Sequence, residues 1–342
     1  MHLNAGIKSF IPLVLGTMLW NTPHLLHAEN VQAPSAELHR AIQHHTHHVP
    51  PAGFQAPGFY RFKLGNIEVT ALSDGTVPQQ MDQLFAAPAQ QVQALFREHH
   101  QTLPAETSMN AFLLHTGQQL LLVDTGAGHS FGPHVGNHLL ANMRAAGYAA
   151  KDVDAILLTH IHGDHSGGLI DVEGRALFPN ATVYVSKAEL DYWFSDQAKA
   201  QAAEHHKPMF DAGRAALLPY VNSARVHSFE GEPMLFDGIR ALSSPGHTPG
   251  HTFYQVQSDD QTLVIWGDVV HAAEVQFPHP EITIAYDANA AAAAVQRQKA
   301  FADAAQQGYW VAAPHLSFPG IGHVRHRKGS YEWLPAPYSL AR

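Results

Sequence analysis

The heptapeptide THIHGDH, which begins at Thr159, most constrains what this chain can fold into. It directly follows an apolar segment, Ala155–Leu158, that predicts a buried strand. Four potential metal ligands lie within six of its residues: His160, His162, Asp164 and His165. In a loop after a strand, this spacing can direct the first pair to one metal ion and the second pair to a neighbouring ion. Gly163 and the later Gly167-Gly168 are expected to permit the tight backbone that such a loop needs.

Three further candidate ligands occupy matching places in the sequence. His247 follows ALSSPG, Asp268 follows TLVIWG and His315 follows YWVAAP, so each comes just after a predicted apolar strand. Ligand sites of open α/β sheets gather beyond the carboxyl ends of strands. Five imidazoles and two carboxylates suit two ions such as zinc, with one carboxylate shared between them.

Composition excludes several other kinds of site. The chain has no cysteine, so disulfides, thiolate nucleophiles and iron–sulfur clusters are absent. Its formal net charge is −9, whereas nucleic-acid-binding proteins usually carry a basic surface. A nuclease or phosphodiesterase is therefore not expected. Histidine is abundant, with 27 copies, so position rather than residue type must separate ligands from the rest.

Strand-like and helix-like segments alternate from about Phe59 onward. Paired strands are predicted around the turns at Gly65-Asn66 and Gly117, and further strands at ATVYVS, HTFYQVQ, TLVIWGD and YWVAAPH. A helix is predicted over Pro133–Ala146, ending at Gly147. A second is predicted over Ala288–Gln307, capped by Asp287 and ended by Gly308. The mixture implies covered sheets, of either the α/β or the α+β class, in one domain, residues 58–342.

The N-terminal residues predict an export signal. Lys8 precedes an apolar stretch, Ser9–Trp20, and Leu26-His27-Ala28 resembles a cleavage site. We expect residues 1–28 to be a signal peptide, so that the mature protein is periplasmic or secreted; the loss of Lys8 changes its charge from −9 to −10. The apolar stretch is too short for a comfortable membrane span, and we expect none. Residues 29–57 are expected to be a flexible linker, although their His44–His48 tract could also collect metal.

The ligand pattern resembles the metallo-β-lactamase superfamily. From about Phe59 to Leu340 the chain more specifically resembles methyl parathion hydrolase and its lactonase-like relatives. Matching stretches are ALSDGTV, LVDTGAG, FGPHVG, GHTPGHT, AEVQF, KAFADAAQQGY and HLSFPGIGH. The resemblance implies an α+β fold, an αββα sandwich of two mixed β-sheets flanked by helices. It also implies export and a homodimer.

The resemblance also implies a role for each ligand. His160, His162 and His247 are expected to hold one zinc ion. Asp164, His165 and His315 are expected to hold the other, with Asp268 bridging the pair; other divalent ions would also suit these ligands. Asp124 is expected to orient a ligating imidazole, although it could equally cap a turn. Phe131, Trp193 and Phe210 are expected to form an aromatic wall of the substrate pocket, although aromatic residues at such spacing also suit a plain core.

Departures from other members of the superfamily narrow the chemistry. Flavodiiron oxidoreductases carry Glu where this chain has His162, and many β-lactamases lack a carboxylate at the place of Asp268. Glyoxalase II shares the ligands but adds a helical domain that is not recognisable after His315. Redox, β-lactamase and glyoxalase II activities are therefore unfavourable.

These inferences predict a dinuclear-zinc hydrolase for small-molecule substrates. A hydroxide held between two ions about 3.5–4 Å apart would attack the substrate, and Asp164 would accept a proton. His271, three residues after Asp268, is expected to donate a hydrogen bond to a lactone, unless it is an ordinary surface histidine. We expect a lactonase or arylesterase with side activity on organophosphate triesters. The alternatives are a dedicated organophosphorus hydrolase and a non-enzymatic zinc-buffering protein.

Overall fold

The computed structural model of the protein describes residues 50–132, 135–204 and 206–339. The chain divides between Gly53 and Phe54, and Phe54–Arg342 forms one unit by itself. The predicted signal peptide and most of the predicted linker, residues 29–57, lie outside the described residues. No helix within the described ranges is both long and apolar enough to cross a membrane.

Within the described residues, fourteen strands form two seven-stranded sheets. The first sheet holds, in spatial order, β1 Phe59–Leu64, β2 Ile67–Gln79, β3 Ala105–His115, β4 Leu120–Val123, β5 Ala155–Leu157, β6 Thr182–Ser186 and β7 Val226–Phe229. The second holds β8 Met234–Phe236, β9 Ile239–Ser243, β10 Thr252–Ser258, β11 Gln261–Ile265, β12 Trp310–Ala312, β13 Ile321–Arg327 and β14 Ser330–Pro335.

Both sheets are mixed. In the first sheet β1 to β4 pair antiparallel, whereas β4 to β7 pair parallel. In the second sheet β11 and β12 form a parallel pair between antiparallel neighbours. The parallel strands direct their carboxyl ends to one edge, which is where residues that follow strands can meet. This architecture confirms the predicted α+β fold with two mixed sheets.

Four apolar clusters make up the core of the described residues, and three of them are layers of the sandwich. Phe112 and Leu114 of β3 pack between the two sheets, whereas Leu113 faces the helices that cover the first sheet. Successive side chains of a strand point to opposite faces, so a strand covered on both faces is apolar throughout. A third layer joins the outer face of the second sheet to a helix through Trp266 and Phe301. The order of layers is therefore helices, sheet, sheet, helix.

Nine α-helices are found among the described residues. They are α1 Met81–Leu84, α2 Ala89–Glu98, α3 Leu139–Ala145, α4 Gly163–Ser166, α5 Lys187–Trp193, α6 Asp196–Gln201, α7 Lys207–Asn222, α8 Ala273–Gln276 and α9 Ala290–Gln307. The short α4 begins within the THIHGDH segment, so Asp164 and His165 lie on its single helical turn, whereas His160 and His162 precede it.

Both predicted helices begin later than expected. α3 starts at Leu139 because Gly136 and Asn137 have positive φ, which ends any helix before them, and because Asp74 accepts a hydrogen bond from the amide of Leu139 (2.9 Å). α9 starts at Ala290, and its cap is Asn289, whose side chain accepts from the amide of Ala292. The prediction that Asp287 caps this helix was wrong.

Candidate metal centre

The predicted ligands come from both sheets and meet at one edge of the sandwich. His160 lies three residues after β5 of the first sheet. His247, Asp268 and His315 follow β9, β11 and β12 of the second sheet, each within four residues of the strand end. Side chains that are up to 155 residues apart in sequence, from His160 to His315, are thereby brought together.

One ligand cluster contains His160, His162, His247 and Asp268, all of them buried. The Nε2 atoms of His160 and His247 each lie 3.0 Å from Nδ1 of His162. Oδ2 of Asp268 lies 3.6 Å from Nε2 of His160 and 3.2 Å from Nε2 of His247. The four ligand atoms lie within 4.8 Å of one another, close enough to converge on a single ion.

A second cluster contains Asp164, His165, His315 and again Asp268. Nε2 of His165 lies 3.0 Å from Oδ1 of Asp268 and 3.6 Å from Oδ2 of Asp164. Nε2 of His315 lies 3.4 Å from Oδ2 of Asp164 and 3.2 Å from Oδ2 of Asp268. Asp268 thus belongs to both clusters. The structure brings all seven predicted ligands together, grouped as the resemblance implied.

The donor atoms of these clusters fit metal ions. Nε2 of His165 and Oδ1 of Asp268 lie 3.0 Å apart, yet neither of these buried atoms forms a hydrogen bond within the described residues, which is uncommon for buried polar atoms. Burial would raise the pKa of Asp268, but the surrounding imidazoles, chiefly His165 and His315, hold it well below its usual range. An ionised carboxylate shared by two groups of imidazole nitrogens could bridge two ions.

The ligating imidazoles are held from behind by hydrogen bonds. Nδ1 of His165 lies 2.9 Å from Oδ2 of Asp124, so Asp124 stands where it was predicted to orient a ligand. Asp124 has positive φ and also accepts from the amide and hydroxyl of Thr159, and it therefore fixes the turn as well. Nδ1 of His315 is 2.9 Å from the carbonyl oxygen of Ser108. Such partners set the tautomer and orientation of the ligand.

Sequence reasoning missed the contacts that three residues with buried side chains make to the ligands or their loops. Asp287 accepts a hydrogen bond from Nδ1 of His247 (2.9 Å). His251, which lies in the GHTPGHT segment, accepts one from the amide of Asp268 through Nε2 (2.9 Å). Glu189 accepts one from the amide of Ile161, between two ligands. The repeated Gly-His-Thr sequence could have indicated a role for His251. Nothing in the local sequence around Asp287 or Glu189 indicates theirs.

The glycines after the heptapeptide are required for space. A Cβ atom at Gly168 would lie 2.0 Å from the carbonyl oxygen of Thr125, and one at Gly167 would lie 2.2 Å from that of Ala127. A Cβ atom at Gly163 would meet only Ser130, at an ordinary 3.5 Å. Glycine is needed at positions 167 and 168 because the neighbouring loop approaches closely there, and not because of its conformational freedom. At position 163 a side chain would have space.

A cavity of about 530 Å³ lies over the two clusters. His162, Asp164, Asp268, His271 and His315 form its polar floor. Its walls are mostly apolar and include Val77, Phe131, Met209, Ile284 and Tyr286. This volume lies within the range of small-molecule sites, which are typically apolar with a few convergent polar groups.

His271 is a buried residue of this floor and not a surface histidine. Its Nε2 lies 3.3 Å from Oδ2 of Asp268, and neither ring nitrogen has a hydrogen-bond partner among the described residues. Burial lowers the pKa of His271 to about 4, so its ring is neutral at pH 7. A neutral imidazole has one N–H donor available for another molecule.

The three predicted wall aromatics have different positions. Phe131 lines the cavity with 43% of its surface exposed. Trp193 and Phe210 are buried and pack on each other at 4.6 Å between ring centroids, and the Trp193 ring stands edge-on to His162 at 5.2 Å. These two rings are not among the cavity residues. They belong to the core behind His162 because α5 and α7 pack together there.

Comparison with known proteins gives a family match over most of the folded chain. The model of the metallo-β-lactamase superfamily matches residues 106–332. An N-acyl homoserine lactonase of a Bacillus species is 25% identical over 206 residues, which are 55% of this chain and 74% of that protein. A second, from Bacillus cereus, is 25% identical over 172 residues, and the match spans only 60% of its length.

Two solved structures are similar over more of the chain. The hydrolase AbOPH of the beta-lactamase superfamily is 37% identical, has a TM-score of 0.80, and matches 84% of this chain and 100% of its own. AidC, a dizinc quorum-quenching lactonase in complex with a product, N-hexanoyl-L-homoserine, is 26% identical with a TM-score of 0.76; the match covers 82% of this chain and 98% of that one.

Proposed function

The chain belongs to the metallo-β-lactamase superfamily, and from that premise we propose that it is a dinuclear-zinc lactonase that also accepts aryl esters. The observation that carries the proposal is the pair of ligand clusters that share Asp268 on the floor of an apolar cavity. Relatives named as N-acyl homoserine lactonases support this substrate class, because those substrates join an apolar acyl chain to a polar lactone ring.

The residues present would hold two zinc ions. His160, His162 and His247 would bind one ion, and Asp164, His165 and His315 the other, with Asp268 shared. Imidazole nitrogen and carboxylate oxygen are favoured zinc ligands. When bound, two such ions lower the pKa of water toward about 7 and polarise a substrate carbonyl.

Asp164 and His271 are the groups that would handle protons and hydrogen bonds during ring opening. Asp164 lines the cavity with 20% of its side chain exposed, so its carboxylate can take the proton that the attacking water loses. The same proton would then pass to the ring oxygen when the acyl carbon–oxygen bond breaks. The neutral His271 would donate its N–H to a lactone oxygen.

The cavity walls would select the rest of the substrate. Apolar side chains such as Val77, Met209 and Ile284 suit an acyl chain or an aryl group rather than a sugar or a nucleotide. A polar donor such as His271 beside the ligand clusters suits a flat lactone ring better than a bulky phosphotriester. We therefore rank a dedicated organophosphorus hydrolase second.

A substrate comparison tests the proposal. The zinc-loaded protein would be assayed with short-chain and long-chain N-acyl homoserine lactones, phenyl acetate and methyl parathion, and kcat/KM compared. We expect the highest values for lactones. A preference for methyl parathion would replace the lactonase proposal with the second candidate. If the protein bound two ions but cleaved none of these substrates, the proposal would fail while membership of the superfamily would stand.

His271→Leu tests the donor separately. Loss of a single preorganised donor to a developing oxyanion typically lowers kcat by about 10²–10³. We expect a loss of at least about tenfold in kcat/KM for lactones with unchanged zinc content, and partial recovery in His271→Gln, which retains an N–H donor. Unchanged lactone turnover in His271→Leu would remove this residue from the mechanism.

A further inference from the structure

Glu189 is a carboxylate in α5 that has no place among the proposed ligands. Its side chain is fully buried, with 0% of its surface exposed. A buried carboxylate is costly unless hydrogen bonds or opposite charges compensate for the loss of water. No ion pair to Glu189 is found within the described residues, so its neighbours must supply hydrogen bonds instead.

Four donors surround the two carboxylate oxygens of Glu189. Oε1 accepts from the hydroxyl of Thr248 and from the amide of Gly250 (2.9 Å). Oε2 accepts from the amide of Ile161 (3.1 Å) and from Nε1 of Trp193 (2.5 Å). All four contacts point a donor at the carboxylate, so this arrangement holds the donors in place.

Three of these donors belong to the two loops that carry the imidazoles of one ligand cluster, and the fourth, Trp193, ends α5. Ile161 lies between His160 and His162, in the loop after β5 of the first sheet. Thr248 follows His247 directly, in the loop after β9 of the second sheet. One carboxylate therefore joins the two sheets at the point where the three imidazoles of this cluster converge. Trp193 adds a contact, because its ring stands edge-on to His162.

The other cluster is supported without Glu189. His165 is held by Asp124, and His315 by the carbonyl oxygen of Ser108. None of the four donors to Glu189 belongs to a loop residue next to either of these imidazoles. Glu189 thus contacts only the loops around the first cluster, whereas Asp124 contacts His165 directly and also Thr159, next to His160.

We propose that Glu189 is a positioning residue that sets the affinity of the His160, His162 and His247 cluster for its zinc ion, and leaves the other zinc ion unaffected. This inference rests on the proposed dinuclear metal site and adds a residue to it. Loss of a hydrogen-bonding partner behind a metal ligand typically lowers metal affinity by about 10–100-fold. Glu189 acts on three ligands through two loops, so we expect a loss within this range.

Glu189→Gln is the direct test because it keeps the shape of the side chain. A carboxamide has one acceptor oxygen, so its NH2 group must face at least one backbone N–H that Glu189 now satisfies. Zinc affinity would be measured by competition with a chromogenic chelator in two backgrounds. His315→Ala leaves the first cluster complete, and His162→Ala leaves the second.

In the His315→Ala background, Glu189→Gln is expected to weaken zinc binding about 10–100-fold. In the His162→Ala background, it is expected to change zinc binding by less than about twofold. Equal losses in both backgrounds, in step with a lower Tm, would mean a merely structural role and would overturn the proposal. So would no loss in either background.

Two further variants keep the proposal testable. Asp74→Asn alters another buried carboxylate that accepts backbone N–H groups, those of Ala127 and Leu139, neither of which lies in a loop that carries this cluster. It should lower Tm without changing affinity in the His315→Ala background. If Glu189→Gln fails to fold, Thr248→Ala removes one donor only and should weaken the same zinc ion selectively. If the unmodified protein binds no zinc, the proposed function fails, which is a different outcome from the loss of selectivity.

Discussion

Asp287→Asn separates the role that the sequence predicted for this residue from the role that the structure gives it. Asparagine caps helices as well as aspartate does. If Asp287 only capped α9, the substitution would leave the stability unchanged. In the structure, however, the carboxylate accepts a hydrogen bond from Nδ1 of His247 (2.9 Å), and its Oδ2 lies 3.8 Å from Nη2 of Arg297.

The expected destabilisation follows from the burial of this ion pair. Both side chains have 0% of their surface exposed. The guanidinium of Arg297 also donates to the carbonyl oxygens of Val269, Pro280 and Ile282. Removing one partner of a buried ion pair costs about 3–5 kcal/mol. Because the pair is separated by 3.8 Å and Arg297 keeps its three carbonyl partners, we expect the lower end, about 3 kcal/mol.

The same substitution should weaken zinc binding. The amide oxygen of an asparagine can still accept from His247, but it carries no charge to strengthen the imidazole as a ligand. We expect a loss of zinc affinity of about 10–100-fold, with a parallel loss of kcat/KM at limiting zinc. A loss of about 3 kcal/mol corresponds to a Tm lower by roughly 6–12 °C.

Calorimetry of the zinc-loaded protein would measure the first effect, and chelator competition the second. Asn289→Ala is the matched control because it removes the observed cap; it should cost about 1 kcal/mol and leave zinc affinity unchanged. If Asp287→Asn had a Tm within about 2 °C of the unmodified protein and the same zinc affinity, the roles assigned to the His247 contact and to the Arg297 pair would both be refuted.

Three other outcomes are expected. Phe131→Ala should raise KM several-fold for long-chain lactones and leave kcat for short-chain ones unchanged, because Phe131 is an apolar wall residue of the cavity and not a ligand. Steady-state kinetics would show it, and equal effects on both chain lengths would contradict it. Gly168→Ala should cost at least about 1–3 kcal/mol, because its Cβ atom would lie 2.0 Å from a carbonyl oxygen. Gly163→Ala is the control in the same denaturation assay and should cost less. When free zinc is at a hundred times the Kd of a site, zinc binding there adds about 2.7 kcal/mol to the free energy of unfolding. Removal of zinc by a chelator should therefore lower this free energy by about that amount for each ion. An unchanged Tm after complete removal would contradict the dinuclear site.

The ligand clusters could be predicted from the sequence because each ligand is marked by the residues directly before it. Each ligand follows an apolar strand, and the carboxyl ends of such strands meet at the same edge of a sandwich. The THIHGDH segment needs no long-range knowledge to be identified. The fold class likewise followed from the resemblance and was confirmed by the two mixed sheets.

The supporting residues could not be predicted because their partners are distant in sequence. Glu189 bonds to Gly250, 61 residues away, and before folding it looks like an ordinary charged residue of a surface helix. Asp287 and Asn289 are both good caps two residues apart, and local sequence does not choose between them. The strands β13 and β14 were missed because their charged, partly exposed segments lack a continuous apolar run.

The origin of the ligands in two different sheets links the metal site to folding. Neither ligand cluster can form until the two sheets have packed, because each combines ligands that follow strands of both sheets. His162 and His165 follow a strand of the first sheet, and His247 and His315 follow strands of the second. The packed site then concentrates imidazoles and carboxylates in a buried volume, which costs free energy unless ions bind there. Hydrogen bonds to Glu189, Asp124 and Asp287 offset part of this cost by holding the loops and imidazoles in place. The same contacts preorganise the donors, so residues that stabilise the sandwich also set how tightly it binds metal.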